Sequence, residues 1–136
     1  MTGPAASDFR AVCRALHRSH VERHALDLEG KRLELAVLAA THEPAEPVTL
    51  VFEGITQFRW QSDSAAPYER MELTTVGLER LAAGDVWRLY LNPSQSATLE
   101  LSCRRITCDG VEVHGVGRHY QDARTPDAQG GAPPAG

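Results

Sequence analysis

The sequence has no apolar run approaching the roughly 20 residues that a membrane-spanning helix needs. Its opening, MTGPAASDFR, lacks the basic start and apolar stretch of a secretory signal, so a cytoplasmic location with no membrane partner is expected. Positive charge is also short. Lys and Arg number 14 against 18 Asp and Glu, for a net charge of -4. A general nucleic-acid binder needs a basic surface to neutralise phosphates, so that class is not expected. Reaction motifs are missing too: there is no Gly-x-Ser-x-Gly elbow, no His-Glu-x-x-His and no phosphate-cradling glycine loop. Gly115-Val116-Gly117 lacks the third glycine and the following helix. Paired glycines in a strand instead mark a bulge or room for a bulky neighbour, with Trp60 and Trp87 as candidates. Alternating βα units and internal repeats are absent. The cysteines are Cys13, Cys103 and Cys108, an odd count that fits reduced thiols better than a disulfide framework.

What is present points to one ordinary globular domain. The 136 residues are 42% hydrophobic and 24% charged, enough for a self-sufficient core. The clearest pattern is VTLVFEGITQFRW, from Val48 to Trp60. Val48, Leu50, Phe52, Phe58 and Trp60 alternate with Thr49, Glu53, Gln57 and Arg59, and only Gly54 and Thr56 interrupt the apolar row. Successive strand side chains point to opposite faces, so the segment predicts one long strand over 48–61, half buried and bent at Gly54.

The rest of the chain fits around that strand. Residues 1–6 are expected to be loose. Ser7 or Asp8 caps a helix whose apolar stripe is Phe9, Val12, Cys13 and Leu16, and which ends between Arg18 and Arg23. HALDLEGKRLELAVLAA reads as two strands about a turn at Glu29-Gly30-Lys31. Glu43-Pro44-Ala45-Glu46-Pro47 breaks the pattern, because proline cannot donate to a sheet ladder. Met71, Leu73 and Thr75 predict a strand, and Val76 to Ala83 a short helical turn. Trp87-Leu91 and Ala97-Cys103 alternate again, separated by the turn signal Asn92-Pro93-Ser94. Cys108-Asp109-Gly110-Val111 predicts a hairpin with a type I′ turn. The Pro- and Gly-rich residues 122–136 read as a disordered tail. Residues 7–121 therefore form a single α+β domain: an N-terminal helix, then six to eight strands in a mainly antiparallel, strongly curved sheet, as a sandwich or half-barrel. Its expected core is Phe52, Phe58, Trp60, Trp87, Leu89, Leu99, Leu101, Ile106 and Val113.

VTLVFEGITQFRW, with the hairpins WRLYLNPSQSATLELSC and ITCDGVEVHG, resembles the core of small bacterial β-rich domains of unknown function, some of which are immunity proteins that neutralise a partner toxin. The resemblance covers about half the chain and brings no catalytic residues with it.

Four constellations bear on chemistry. Cys13, His17, His20 and His24 are spaced by four, three and four residues, and would share one sector of a helix long enough to hold them, in reach of a zinc ion. The competing reading makes Cys13 a small core hydrophobe and ends the helix before His24. Cys103, Cys108, His114 and His119 have the residue types of a zinc site but no standard finger spacing. Around Asp109-Gly110 the hairpin register sends Cys108 inward and His114 outward. Glu53, Glu69, Glu72 and His119 offer acid–base groups without a spacing that joins them. Neither a metal nor a cofactor is expected. Finally, Arg10, Arg14 and Arg18 recur every four residues as a basic helix stripe, the candidate partner-binding surface; an acidic protein suits it better than DNA. The resulting expectation is a non-enzymatic protein-binding module, immunity-like in the terms of the resemblance. The alternative is a small-ligand carrier or minor enzyme built around a cavity in the curved sheet.

Overall fold

In the computed structural model, the described residues are 8–39, 47–62, 71–92 and 97–121. The expected loose residues 1–6 and the expected tail 122–136 lie outside them. The fold begins at Asp8, whose Oδ1 accepts the Arg10 N–H at 2.9 Å and so caps helix α1, Phe9–Leu16. Phe9, Val12, Cys13 and Leu16 are buried on one stripe, as their spacing requires. The helix stops short of the expected Arg18–Arg23 boundary. His17 donates its N–H to the Cys13 carbonyl, and Arg18 takes a left-handed backbone (φ 68°) that sends its own N–H to the Leu73 carbonyl at 2.8 Å. A competing backbone partner ends the helix.

Eleven strands follow among the described residues: β1 (Ser19–Asp27), β2 (Arg32–Ala39), β3 (Val48–Glu53), β4 (Gln57–Ser62), β5 (Met71–Glu72), β6 (Val76–Arg80), β7 (Trp87–Leu91), β8 (Ala97–Cys103), β9 (Arg105–Cys108), β10 (Val111–Glu112) and β11 (Gly117–Gln121). They form two antiparallel sheets, one in the order β10-β9-β3-β2-β1-β5 and one in the order β11-β6-β7-β8-β4. The chain is thus α+β and mostly β. Against the expected six to eight strands in a strongly curved sheet, as a sandwich or half-barrel, the described residues hold eleven in two sheets that share one apolar core with α1.

The difference arises at one corner. The segment expected as one strand is two, β3 and β4, which lie in different sheets and are separated by Gly54-Ile55-Thr56. Gly54 has φ 69°, and a Cβ there would sit 2.8 Å from Arg104 Cγ, so the position is held for glycine. The neighbouring chain bends at the same place. β8 ends at Cys103, Arg104 crosses over, and β9 begins the other sheet. Arg104 N–H donates to Glu53 O at 3.0 Å and Thr56 N–H to Ser102 O at 2.9 Å, so the two bends are bonded to each other. Two paired strands therefore turn together from sheet to sheet, a recognised way to make a corner between packed sheets. The alternation reads correctly on both sides of the bend, while the bend itself is too sharp for continuous strand pairing.

Other expectations hold or fail for local reasons. β1 and β2 form the expected hairpin, with Gly30 N–H donating to Asp27 Oδ1 at 3.0 Å across the turn. At the second predicted hairpin, Asp109 (φ 51°) and Gly110 (φ 83°) both have the positive φ of a type I′ turn, and Cys108 pairs with Val111. The helical turn expected within Val76–Ala83 is instead strand β6. Pairing with both β7 and β11 overrides local preference there. Of the expected core, Trp60 is the exception: it is 52% exposed, while Phe58 is half-buried and the other seven are buried. β4 is the edge of its sheet, so no described strand continues the cover past Trp60.

Candidate functional site

The outward faces of the two sheets are built differently. On the six-stranded sheet, Arg32, Glu34, Glu53, Arg105 and Glu112 project to one side, by strand parity and register. They form a ladder. Arg32 meets Glu34 at 3.4 Å and Glu53 at 3.8 Å, and Arg105 meets Glu53 at 3.6 Å and Glu112 at 3.9 Å. Each arginine is matched by two carboxylates.

On the five-stranded sheet, the outward residues are Gln57, Arg59 and Gln61 of β4, Arg88 and Tyr90 of β7, Thr98, Glu100 and Ser102 of β8, Gly77 and Glu79 of β6, and Arg118 and Tyr120 of β11. Gly77 makes room for two rings: a Cβ there would lie 2.8 Å from Tyr120 Cδ1 and 3.6 Å from Tyr90 Cδ2. Tyr120 is 55% exposed. Glu79 pairs with Arg118 at 3.3 Å and with Arg88 at 3.7 Å. Arg59 has an amide neighbour, Gln61 Oε1 at 3.5 Å, is opposite Glu100 in register, and makes no ion pair among the described residues.

Two open depressions lie on this face. One, of about 310 Å³, is lined by Gln57, Arg59, Arg88, Tyr90, Glu100 and Ser102. The other, of about 330 Å³, shares Gln57, Arg88 and Ser102 and extends to Thr56, Glu79 and Leu81. Their linings hold guanidinium, amide, hydroxyl and carboxylate groups, and no histidine to act as base for Ser102. Among the lining residues are hydrogen-bond donors and acceptors and both signs of charge, with no nucleophile–base pair.

The thiols are equally unsuited to that chemistry. Cys13, Cys103 and Cys108 are free and buried. Burial pushes the Cys13 and Cys103 thiols up to about 12 and the Cys108 thiol up to about 11. The thiolate is the nucleophile, so these groups behave as apolar core atoms.

The residues singled out from sequence are placed as follows. Cys13 is in α1 and His17 is its C-cap, but His20 and His24 belong to β1, so the four do not share a helical sector. Cys103 ends β8 in one sheet, Cys108 ends β9 in the other, His114 is exposed, and His119 is in β11. Among the described residues, no three of His, Cys, Asp and Glu gather closely enough to hold a metal ion. Glu53 and Glu72 lie on strands well separated in the six-stranded sheet, and His119 is in the other sheet; Glu69 lies outside the described residues.

The arginine stripe is shorter than expected. Arg10 and Arg14 are on α1, but Arg18 sits in the turn after it. Arg10 is committed locally, 4.6 Å above the Phe9 ring and 3.7 Å from Asp8. Behind α1, the paired glycines do accommodate a ring, and it is Phe9. Gly115 (φ 125°) leaves no room for a Cβ beside the Phe9 ring. His17 and Gln121 are buried polar residues, joined at 3.5 Å, and Gln121 reaches His119 at 3.2 Å.

Tyr120, Glu79 and Gly77 were not singled out from the sequence. The buried pair Val76 and Leu78 flanking Gly77 is an alternation, and reading it as a strand brings Gly77 and Glu79 onto the same face as Tyr90.

No protein-family model matches the chain, and no curated protein matches it. Among solved structures, an uncharacterized protein from Neisseria gonorrhoeae is similar in fold. Its TM-score is 0.54 at 10% sequence identity, covering 70% of this chain and 93% of that one. At that identity the likeness is one of fold alone. None of the helices among the described residues is long and apolar enough to cross a membrane.

Proposed function

We propose that this protein is a non-enzymatic, cytoplasmic protein-binding module, and that the outer face of its five-stranded sheet receives an acidic patch of the partner. One observation carries the reading: Tyr90 and Tyr120 lie over Gly77 on the same face as Arg59, a guanidinium that makes no ion pair among the described residues. Tyrosine and arginine dominate binding energy at protein interfaces. The other sheet's ladder, by contrast, already satisfies its own arginines. The depressions are open and polar, which favours a protein surface over a small apolar ligand. A bacterial immunity role, with a toxin as the partner, is the finer form of this reading and draws on the resemblance of the strand pattern.

The test compares two charge reversals in capture from a lysate of the source organism. Arg59→Glu with Arg88→Glu should abolish capture, whereas Arg10→Glu with Arg14→Glu on α1 should leave it largely intact. Circular dichroism confirms folding of both. Loss of capture with the helix pair alone would move the binding surface to α1.

A further inference from the structure

Edge strands are usually blunted by charge, proline, a bulge or brevity, because their free N–H and C=O groups recruit other strands. Among the described strands, the edges β5 and β10 are two residues long, and β11 begins at Gly117 (φ 129°). β4 carries one charge, Arg59, and none of the other protections. It is six residues, Gln57–Ser62, with no proline, glycine or lysine, and among the described strands it pairs with β8 alone. Gln57, Arg59, Trp60 and Gln61 are exposed, and Trp60 offers a half-exposed indole on the core-side face.

We infer that β4 pairs antiparallel with β4 of a second copy of this chain, joining two five-stranded sheets into one of ten strands. The register follows from face and charge. A two-fold axis normal to the sheet keeps each face continuous, so a residue can only oppose one of its own parity. Two central registers satisfy this. One sets Arg59 against Arg59 of the second copy, a like-charge pair that opposes association. The other centres on Trp60, which meets Trp60 of the second copy; Arg59 then faces Gln61 and Phe58 faces Ser62. The second register pairs the two exposed indoles and places no two charges opposite each other. The strand is self-complementary only there, and this selects a second copy as occupant.

The test uses the purified full chain with no other protein, so its failure is distinct from failure of the partner-binding reading. Sedimentation velocity should show a reversible monomer–dimer equilibrium between about 1 and 200 µM, as expected for a small, strand-edge interface. Trp60→Lys should weaken dimerisation at least about tenfold, with an unchanged circular dichroism spectrum, since a central aromatic is replaced by a charge facing its own copy. The double variant Arg59→Glu, Gln61→Lys reports the register: centred on Trp60 it gains two Glu–Lys pairs and dimerises more tightly, whereas centred on Arg59 it faces Glu with Glu and falls apart. A chain monomeric at the highest concentration, a dimer indifferent to Trp60→Lys, or a dimer lost in the double variant would each overturn the inference.

Discussion

β3 and β4 are two halves of one alternating segment, yet they end in opposite circumstances. Phe52 on β3 is 1% exposed, and Trp60 on β4 is 52% exposed. Both point to the core side of their sheets. β3 is an interior strand, flanked by β2 and β9, whereas β4 is an edge with β8 alone beside it. Alternation therefore specifies which face a residue occupies, and position in the sheet decides how deeply it is covered. The same contrast separates the outer faces. That of the six-stranded sheet pairs Arg32 and Arg105 with carboxylates and has a depression of about 410 Å³ beside Arg23, while that of the five-stranded sheet presents two tyrosines, two smaller depressions and Arg59.

The sharpest way to break this contrast is by paired truncation. Phe52→Ala should cost about 3 to 5 kcal/mol, from lost transfer energy and the cavity left behind. Trp60→Ala, in dilute protein, should cost less than about 1.5 kcal/mol, since half of the side chain already meets water. Urea midpoints at constant slope measure both, and equal losses would mean that β4 is covered as deeply as β3.

The corner comes next in size. Gly54→Ala forces a methyl toward Arg104 at a positive φ, and should lose about 1 to 3 kcal/mol. Thermal unfolding reads this directly, and a neutral result would mean that the bend is not fixed at Gly54.

The cysteines on either side of the second bend allow a pH test. Cys103 lies in one sheet and Cys108 in the other, and burial raises both thiols, to about 12 and about 11, from 9.0. The folded state therefore disfavours the thiolate. Stability from this source is fully present below about pH 9 and falls as pH rises through the folded values. Denaturant midpoints from pH 7 to 11 should be level and then decline, and folded protein at pH 8 should resist thiol alkylation in both halves. Rapid modification of Cys108 alone would show that the six-stranded sheet opens first.

The smallest effect expected on stability is from surface charge. Arg59→Glu should shift stability by only a few tenths of a kcal/mol, because the side chain is exposed, and Arg88→Glu by somewhat more, because it sets a second carboxylate beside the largely buried Glu79. A large loss would make them structural and remove them from the binding reading.

Much of this was legible in the sequence, for identifiable reasons. The Asp109-Gly110 turn, the Phe9–Leu16 stripe and the inward cysteines follow from local geometry or period. The helix end does not, because it depends on Arg18 finding the Leu73 carbonyl, 55 residues away in sequence. Asn92 illustrates the same limit. Its sequence signal was a turn, but its Oδ1 accepts the N–H groups of Thr74 and Thr75 at 2.9 and 3.2 Å, and its Nδ2 donates to Glu72 O at 2.8 Å. The candidate surface was half visible. Arg59, Arg88 and Tyr90 share the outward parity of their strands, whereas Tyr120 joins them only through the pairing of β11 with β6.

If the proposal holds, a partner docks on the five-stranded sheet's outer face and not on the six-stranded one. Site-specific photo-crosslinking tests it most directly. A photoreactive residue in place of Tyr90 is compared with one in place of Thr107, which projects from the ladder face. Both proteins are irradiated in lysate of the source organism and their adducts identified by mass spectrometry. A discrete adduct is expected from position 90 and none from position 107. A specific adduct from position 107, with none from position 90, would contradict the proposal.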